Sequence, residues 1–410
     1  MKIIFLVDNI PAVEMFLPII KALLGNWEVL IVNYDGWTRR KRIEIENFIQ
    51  KLALRYKTIG KRNRHGVEEI LQEEQPDVVV LARDEATYLE QLFIELANSR
   101  HIPTLLVPHG IWAPGERKPW CIRGVFSRAR HLYRLGFQGY RVIREGNFSW
   151  VRLIGAALFR MTRDLRSRPL LAGHGGCSRI AAFGEAMKEL LISEGLSPER
   201  ITVTGNPKFD LLYNAKKGGH ESEMRKSLGI KKDENIVLLL TDYLVEFGAW
   251  TAAQRKNFIM AICEAVAQLP VCKLVIKIHP VNETEADYLR ITKDLPNPPL
   301  VCKDVPLPEL INACNVAITV MSTAGLEVMA MGKPLLAVNF FDDVTPFDES
   351  SGVTVVHSES DLLAPLELAL RSGLSKEKKE AADKYVSRQA YVQDGKAASR
   401  IADLILEMTA

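Results

Sequence analysis

Two short apolar runs in the second half of the chain end in residues suited to binding an anion. Residues 273–278 lead into His279-Pro280, and residues 316–320 lead into Met321-Ser322-Thr323-Ala324-Gly325, where helical spacing opens with Leu326-Glu327. An imidazole, two hydroxyls and the N–H groups at a helix start all donate hydrogen bonds to a negative oxygen. In an open parallel sheet, such residues meet at the carboxyl ends of neighbouring strands, where ligands bind. Thr241, after the run 236–240, and Lys277 belong to the same set of strand ends. The expectation is a seat for a nucleotide mono- or diphosphate. Taken singly, Ser322 and Thr323 read as a helix cap and His279-Pro280 as a strand terminus. The order strand, His-Pro, strand, Ser-Thr-x-Gly-x-Glu, helix, Gly332-Lys333-Pro334, strand is what indicates a site.

His109 follows the buried run 104–107 and precedes Gly110, which lets a ligand approach the backbone. A neutral imidazole there suits a general base near neutral pH, or a hydrogen bond to the next loop. From Arg117 to Arg168 the composition changes, with thirteen basic and two acidic residues and a local charge of +11. Trp120, Phe126, Tyr133, Phe137, Tyr140, Trp150 and Phe159 are interleaved with the arginines. Such a stretch suits an anionic membrane surface or a polyanionic, lipid-phosphate acceptor better than a merely solvated face.

The elements that must carry these residues alternate in type. Strand-like runs at 2–7, 28–32, 77–81, 104–107, 180–183 and 201–204 are separated by helical spacing, and a second alternating set begins at 236–240. That alternation calls for parallel sheets with right-handed crossovers. The 410 residues suffice for two domains, and 47% apolar with 25% charged residues builds ample cores. Residues 213–220, polar and glycine-rich, are the linker candidate. The net charge of +3 gives no reason to expect nucleic acid as a partner. The six cysteines form no Cys-x-x-Cys pair and read as reduced, buried thiols, so no metal is expected. The opening MKIIFLV reads as a first buried strand rather than a signal peptide, and no apolar run approaches the roughly 20 residues of a membrane helix.

The order VTGNPKFD, HP, ST-x-x-x-E, GKP and YVQDGKAASRIADLI resembles the GT-B superfamily over about residues 180–408. Within it the chain looks most like CDP-glycerol glycerophosphotransferases and capsule polysaccharide transferases and, more distantly, UDP-N-acetylglucosamine 2-epimerases. The resemblance implies an α/β chain of two Rossmann-like domains facing a cleft, with the basic amphipathic insertion in the first. The expected domains are 1–212 for the acceptor (insertion 117–170), 221–385 for the donor, and a closing helix in 386–410. It implies a metal-independent transferase without a cofactor, using a CDP-, CMP- or UDP-linked donor and a lipid-linked or surface-glycan acceptor. Such an enzyme would be cytoplasmic, at the inner face of the membrane. By the same likeness Lys277, His279, Pro280, Ser322, Thr323 and the Gly325 backbone hold the donor phosphate, with Thr241 beside them. Glu327 grips a ribose or sugar hydroxyl, Pro306 to Leu310 border the base, Asn206 and Pro207 lie at the cleft, and His109 is the base. Asn315 and Met321 stand where relatives often carry Asp. Epimerase-type paired acids have only Asp84 and Glu85 as near candidates, so the transferase is the first expectation, the epimerase the second and a non-catalytic membrane or polyanion binder the third.

Overall fold

The structure is a computed structural model. It describes residues 1–34, 39–59, 64–84, 88–108, 172–219, 221–280, 283–341, 343 and 345–410. His109, Glu85 and the basic insertion lie outside the described residues. The chain divides into two compact units, Met1–Lys208 with Lys396–Ala410, and Phe209–Gly395.

The run KIIFLV is apolar at every position after Lys2, as a strand covered on both faces requires. It forms β1 (Lys2–Val7), joined by β2 (Glu28–Asn33), β3 (Tyr56–Thr58), β4 (Val78–Leu81), β5 (Thr104–Leu106), β6 (Arg179–Ala182) and β7 (Ile201–Val203). All pair in parallel, in the order β3-β2-β1-β4-β5-β6-β7. Side chains alternate across the sheet. Ile3, Phe5, Val29, Ile31, Val78 and Val80 pack in one core, and Ile4, Leu6, Leu30, Val32, Val79 and Leu81 in the other. Helices α1 (Ile10–Leu23) and α2 (Arg39–Lys51) contribute to the first core, and α3 (Arg64–Glu74), α4 (Tyr88–Ser99) and α5 (Glu185–Ser193) to the second. Each fully buried Ile, Leu or Phe adds about 1.5–3 kcal/mol over leaving it exposed.

Residues 213–218, expected as a linker, lie instead in helix α6 (Pro207–Gly218). Asn206 Oδ1 accepts the Lys208 N–H at 3.0 Å and Pro207 pre-sets the first turn. Lys216 and Lys217 occupy the last turn, where cations suit the helix's negative end, and Lys217 lies 4.4 Å from the Tyr213 ring centroid. The polarity of this stretch is that of a solvated helix, not of a loose connection.

The second unit begins within α6 and continues through α7 (Glu221–Ser227) into β8 (Asn235–Leu240). Then follow α8 (Leu244–Phe247), α9 (Ala252–Ala267), β9 (Cys272–Lys277), α10 (Glu285–Thr292), β10 (Leu300–Cys302), α11 (Leu307–Ala313), β11 (Val316–Thr319), α12 (Ala324–Ala330), β12 (Leu335–Val338), β13 (Thr354–Val356), α13 (Leu363–Ser372) and α14 (Lys376–Ala390). Six parallel strands stand in the order β10-β9-β8-β11-β12-β13. The chain winds outward from β8 through β9 to β10, then returns to β11 on the other side of β8. That reversal makes the carboxyl ends of β8 and β11 a topological switch point. The last helix, α15 (Ala397–Thr409), returns to the first unit, where Ala398, Ile401, Ala402, Leu404 and Ile405 pack with α1. Both units are thus Rossmann-like, parallel α/β bodies.

Candidate functional site

The switch point of the second unit gathers the polar residues that end its inner strands. Thr241, Asp242 and Tyr243 follow β8, Ile278 and His279 follow β9, and Val320, Met321 and Ser322 follow β11. Hydrogen bonds stitch these three ends together. The His279 N–H donates to Thr241 Oγ1 at 2.9 Å and to Glu283 Oε2 at 2.7 Å. The Met321 N–H donates to Asp242 Oδ2 at 3.1 Å. The Ser322 N–H donates to Thr319 Oγ1 at 3.2 Å, and the buried Thr319 hydroxyl donates to the Leu240 carbonyl at 3.3 Å. The His279 ring is half-buried and rests against the Tyr243 ring, with centroids 4.6 Å apart and planes tilted by 48°.

The hydroxyls behave differently from caps. Thr323 occupies the N-cap position of α12 but has αR backbone angles, and its side chain makes no capping hydrogen bond. Thr323 is exposed and Ser322 half-buried. Neither hydroxyl has an intramolecular hydrogen bond among the described residues. The helix has seven residues, so its dipole is short. The hydroxyls and the imidazole are the stronger donors at this edge.

Asp242 is half-buried between these loops. Burial raises its carboxyl from 3.8 to about 7, the charges of Glu283 and Asp343 push the same way, and the N–H groups of Met321 and Ser322 act against them. Asp343 accepts the Trp250 indole N–H at 2.9 Å and closes a loop with Asn339, whose Oδ1 accepts the Asp343 N–H at 2.6 Å.

Three of the residues expected at the donor have partners within the protein. Lys277 donates its ammonium to the Lys303 carbonyl, towards β10. Leu310 is fully buried. The Gly325 N–H donates to the Ser322 carbonyl at 2.9 Å. A Cβ on Gly325 would lie 2.6 Å from the Phe347 ring, so close helix packing explains the glycine there. Thr241 and Asn206 are buried, while Pro280 and Pro306 are exposed. The Asn206 side-chain oxygen Oδ1 is engaged in starting α6, with the buried Pro207 next to it. Glu327 is half-buried on α12. Asn315 accepts the Ile236 N–H at 2.8 Å and an Arg225 N–H at 3.1 Å, a bracing role that needs no charge of its own.

Asp242, Tyr243 and Glu283 are absent from the set that spacing suggests. Their adjacency to Thr241 and His279 was the available signal, but the bonds of Asp242 to Met321 and of Glu283 to Thr241 join segments distant in sequence.

At the corresponding edge of the first unit, buried Asp8 pairs with Arg83 at 3.7 Å and Tyr34 donates its hydroxyl to buried Glu90. Asp84 is wholly buried, and its two oxygens accept the N–H groups of Gly173 at 2.8 Å and Gly175 at 2.6 Å. Among the described residues, no group of three or more His, Cys, Asp and Glu side chains is placed to hold a metal ion. No described helix is long and apolar enough to cross a membrane.

Known structures share this architecture along nearly the whole chain. UDP-GlcNAc 2-epimerase from Neisseria meningitidis, solved bound to UDP-GlcNAc, is 16% identical with a TM-score of 0.64, covering 99% of this chain and 100% of that one. The Methanocaldococcus jannaschii UDP-GlcNAc 2-epimerase, in complex with UDP-GlcNAc and UDP, is 16% identical with a TM-score of 0.58, covering 99% and 100%. A variant of the wall teichoic acid polymerase TagF is 11% identical with a TM-score of 0.58, covering 100% and 88%. At these identities the likeness is one of fold. No curated protein matches the chain significantly. The family model for UDP-N-acetylglucosamine 2-epimerase matches residues 178–406, more than half of the chain. The chain belongs to the UDP-N-acetylglucosamine 2-epimerase family.

Proposed function

We propose that the chain is an enzyme acting on a nucleotide-activated donor and that it transfers the activated sugar or polyol phosphate to a hydroxyl acceptor. The donor phosphates lie against His279, Ser322 and Thr323, with Pro306 beside the base and Glu327 towards a ribose or sugar hydroxyl. The observation that carries this reading is the pair of hydroxyls without intramolecular partners among the described residues and the braced His279 ring, all at strand ends around one topological switch point. Family membership supports an enzyme acting on a nucleotide-activated donor, as do the UDP and UDP-GlcNAc bound in structures that share the fold.

As the donor bond breaks, negative charge collects on the leaving phosphate. An imidazole N–H and two hydroxyls already in position stabilise that charge without a resident metal. His109 takes the proton of the acceptor hydroxyl. The acceptor is lipid-linked or a surface glycan, and the basic segment from Arg117 to Arg168 holds the enzyme at the anionic inner face of a membrane.

Epimerisation is the second reading, favoured by the family model. A base that removes a proton from a bound sugar must reach it. Asp84, the described candidate, is buried with both oxygens engaged. Product analysis separates the two: UDP-GlcNAc, CDP-glycerol and related donors are incubated with and without a lipid-linked glycan. Turnover that requires the acceptor is expected. Conversion of UDP-GlcNAc to its 2-epimer without acceptor would establish the second reading instead.

A further inference from the structure

Glu283 joins most of the parts of the donor edge yet lies behind it, 1% exposed. Its Oε2 accepts the His279 N–H at 2.7 Å and the Thr241 hydroxyl. Its Oε1 accepts the Tyr288 hydroxyl and lies 3.9 Å from the Arg255 guanidinium. The Lys303 ammonium holds the Glu283 carbonyl at 2.8 Å, and the Lys277 ammonium holds the Lys303 carbonyl. Burial, then the Glu283 charge, raises the Tyr288 phenol above its ordinary range, so Tyr288 remains a donor.

Removing a carboxyl group from water is costly, and here three donors and a cation replace the solvent. The sheet itself does not need it. Beyond β9 the pairing continues without Glu283, through the Ile278 N–H to the Cys302 carbonyl at 3.0 Å. What Glu283 fixes is the next residue: the His279 backbone is pinned to it and to Thr241 while the ring is backed by Tyr243.

We infer that Glu283 is a positioning residue for the donor site, setting the direction of the His279 imidazole through the His279 N–H and the Thr241 hydroxyl without touching the donor. The assignment to a donor site rests on the reading above, but the orientation of the ring can be read without any nucleotide. Glu283→Gln keeps an oxygen for the His279 N–H. Glu283→Ala keeps none, and Glu283→Asp withdraws the carboxylate by roughly 1.5 Å, one carbon–carbon bond. Leu269→Ala, a cavity in the same unit's core, controls for lost stability.

The test uses the full chain. The His279 ring signal is identified among the 8 histidines by its loss in His279→Gln in proton–carbon spectra, and UDP binding is measured by calorimetry. The ring signal is expected to move in Glu283→Ala, to stay in Leu269→Ala and to return close to its original place in Glu283→Gln. UDP affinity is expected to fall about tenfold in Glu283→Ala and by less than about threefold in Glu283→Gln. If Glu283→Ala does not fold, Glu283→Asp carries the same expectations. A ring signal unmoved in the folded Ala or Asp variant overturns the inference, as does an equal loss of affinity in Leu269→Ala. If the unmodified chain bound none of UDP, CDP and CMP, the donor reading would fail by itself, and the ring signal would still decide the role of Glu283.

Discussion

Asp242 puts a group that titrates near neutral pH at the carboxyl ends of β8 and β11. Its carboxyl is raised to about 7 by burial first, and a raised carboxyl favours the folded state most below its unfolded value of 3.8. That contribution is lost as pH rises through about 7, because the folded chain must then hold a half-buried charge. In Asp242→Asn the loss disappears. The variant's stability relative to the parent is expected to improve from about pH 5 to about pH 8 by on the order of 1–2 kcal/mol, after allowance for partial solvent contact. Denaturant titrations at both pH values check this, and a difference that stays flat would place the titration elsewhere. The thiols are the opposite case, groups made inert by burial. Burial raises Cys263 to about 11 and Cys314 to about 12, and puts Cys177 well above its ordinary range. Since the thiolate is the reactive form, iodoacetamide near neutral pH is expected to label these three only after urea unfolding. Fast labelling of Cys314 in the folded chain, seen by peptide mass spectrometry, would contradict its placement.

The short helix α12 is where packing and binding can be separated. Gly325 faces Phe347 and Leu335, and a Cβ would come within 2.6 Å of the ring. Gly325→Ala is therefore expected to cost about 1–3 kcal/mol of stability through overpacking. Thr323 is expected to behave the other way. Its hydroxyl caps nothing, so Thr323→Val costs less than about 0.5 kcal/mol, where removing a true cap costs about 1. The same variant is expected to weaken nucleotide binding, so a large stability loss with unchanged binding would restore the capping role. Strands such as VVVL and the run IVLLL of β8 were legible in the sequence because both faces are covered and every position is apolar. The ends of β8, β9 and β11 followed from them. Helix α6 was not legible as a helix because its surface is polar. The burial of Leu310 and the packing of Gly325 against Phe347 were not legible, because spacing gives an element but not the side of it that a neighbour covers. Glu283 gives no periodic signal, since its partners Thr241, Tyr288 and Arg255 come from three separate elements.

At the scale of the whole molecule, two parallel α/β units are built from one continuous chain, and the last helix returns to the first unit. The basic stretch from Arg117 to Arg168 lies outside the described residues, and the role proposed for it rests on composition alone. Flotation with anionic and with neutral vesicles is expected to show binding only to the former, weakened by salt and abolished on deletion of residues 117–168. Vesicle binding that survives the deletion would assign the contact to another surface. The central claim concerns the second unit, where His279, Ser322 and Thr323 receive the donor's phosphate. Calorimetry with UDP, CDP and CMP, on the parent chain and on a folded His279→Ala/Ser322→Ala/Thr323→Val variant, tests it most directly. At least one nucleotide is expected to bind the parent and to lose roughly tenfold or more in the variant. Undiminished affinity in the variant, or no binding of any of the three to the parent, would contradict the account.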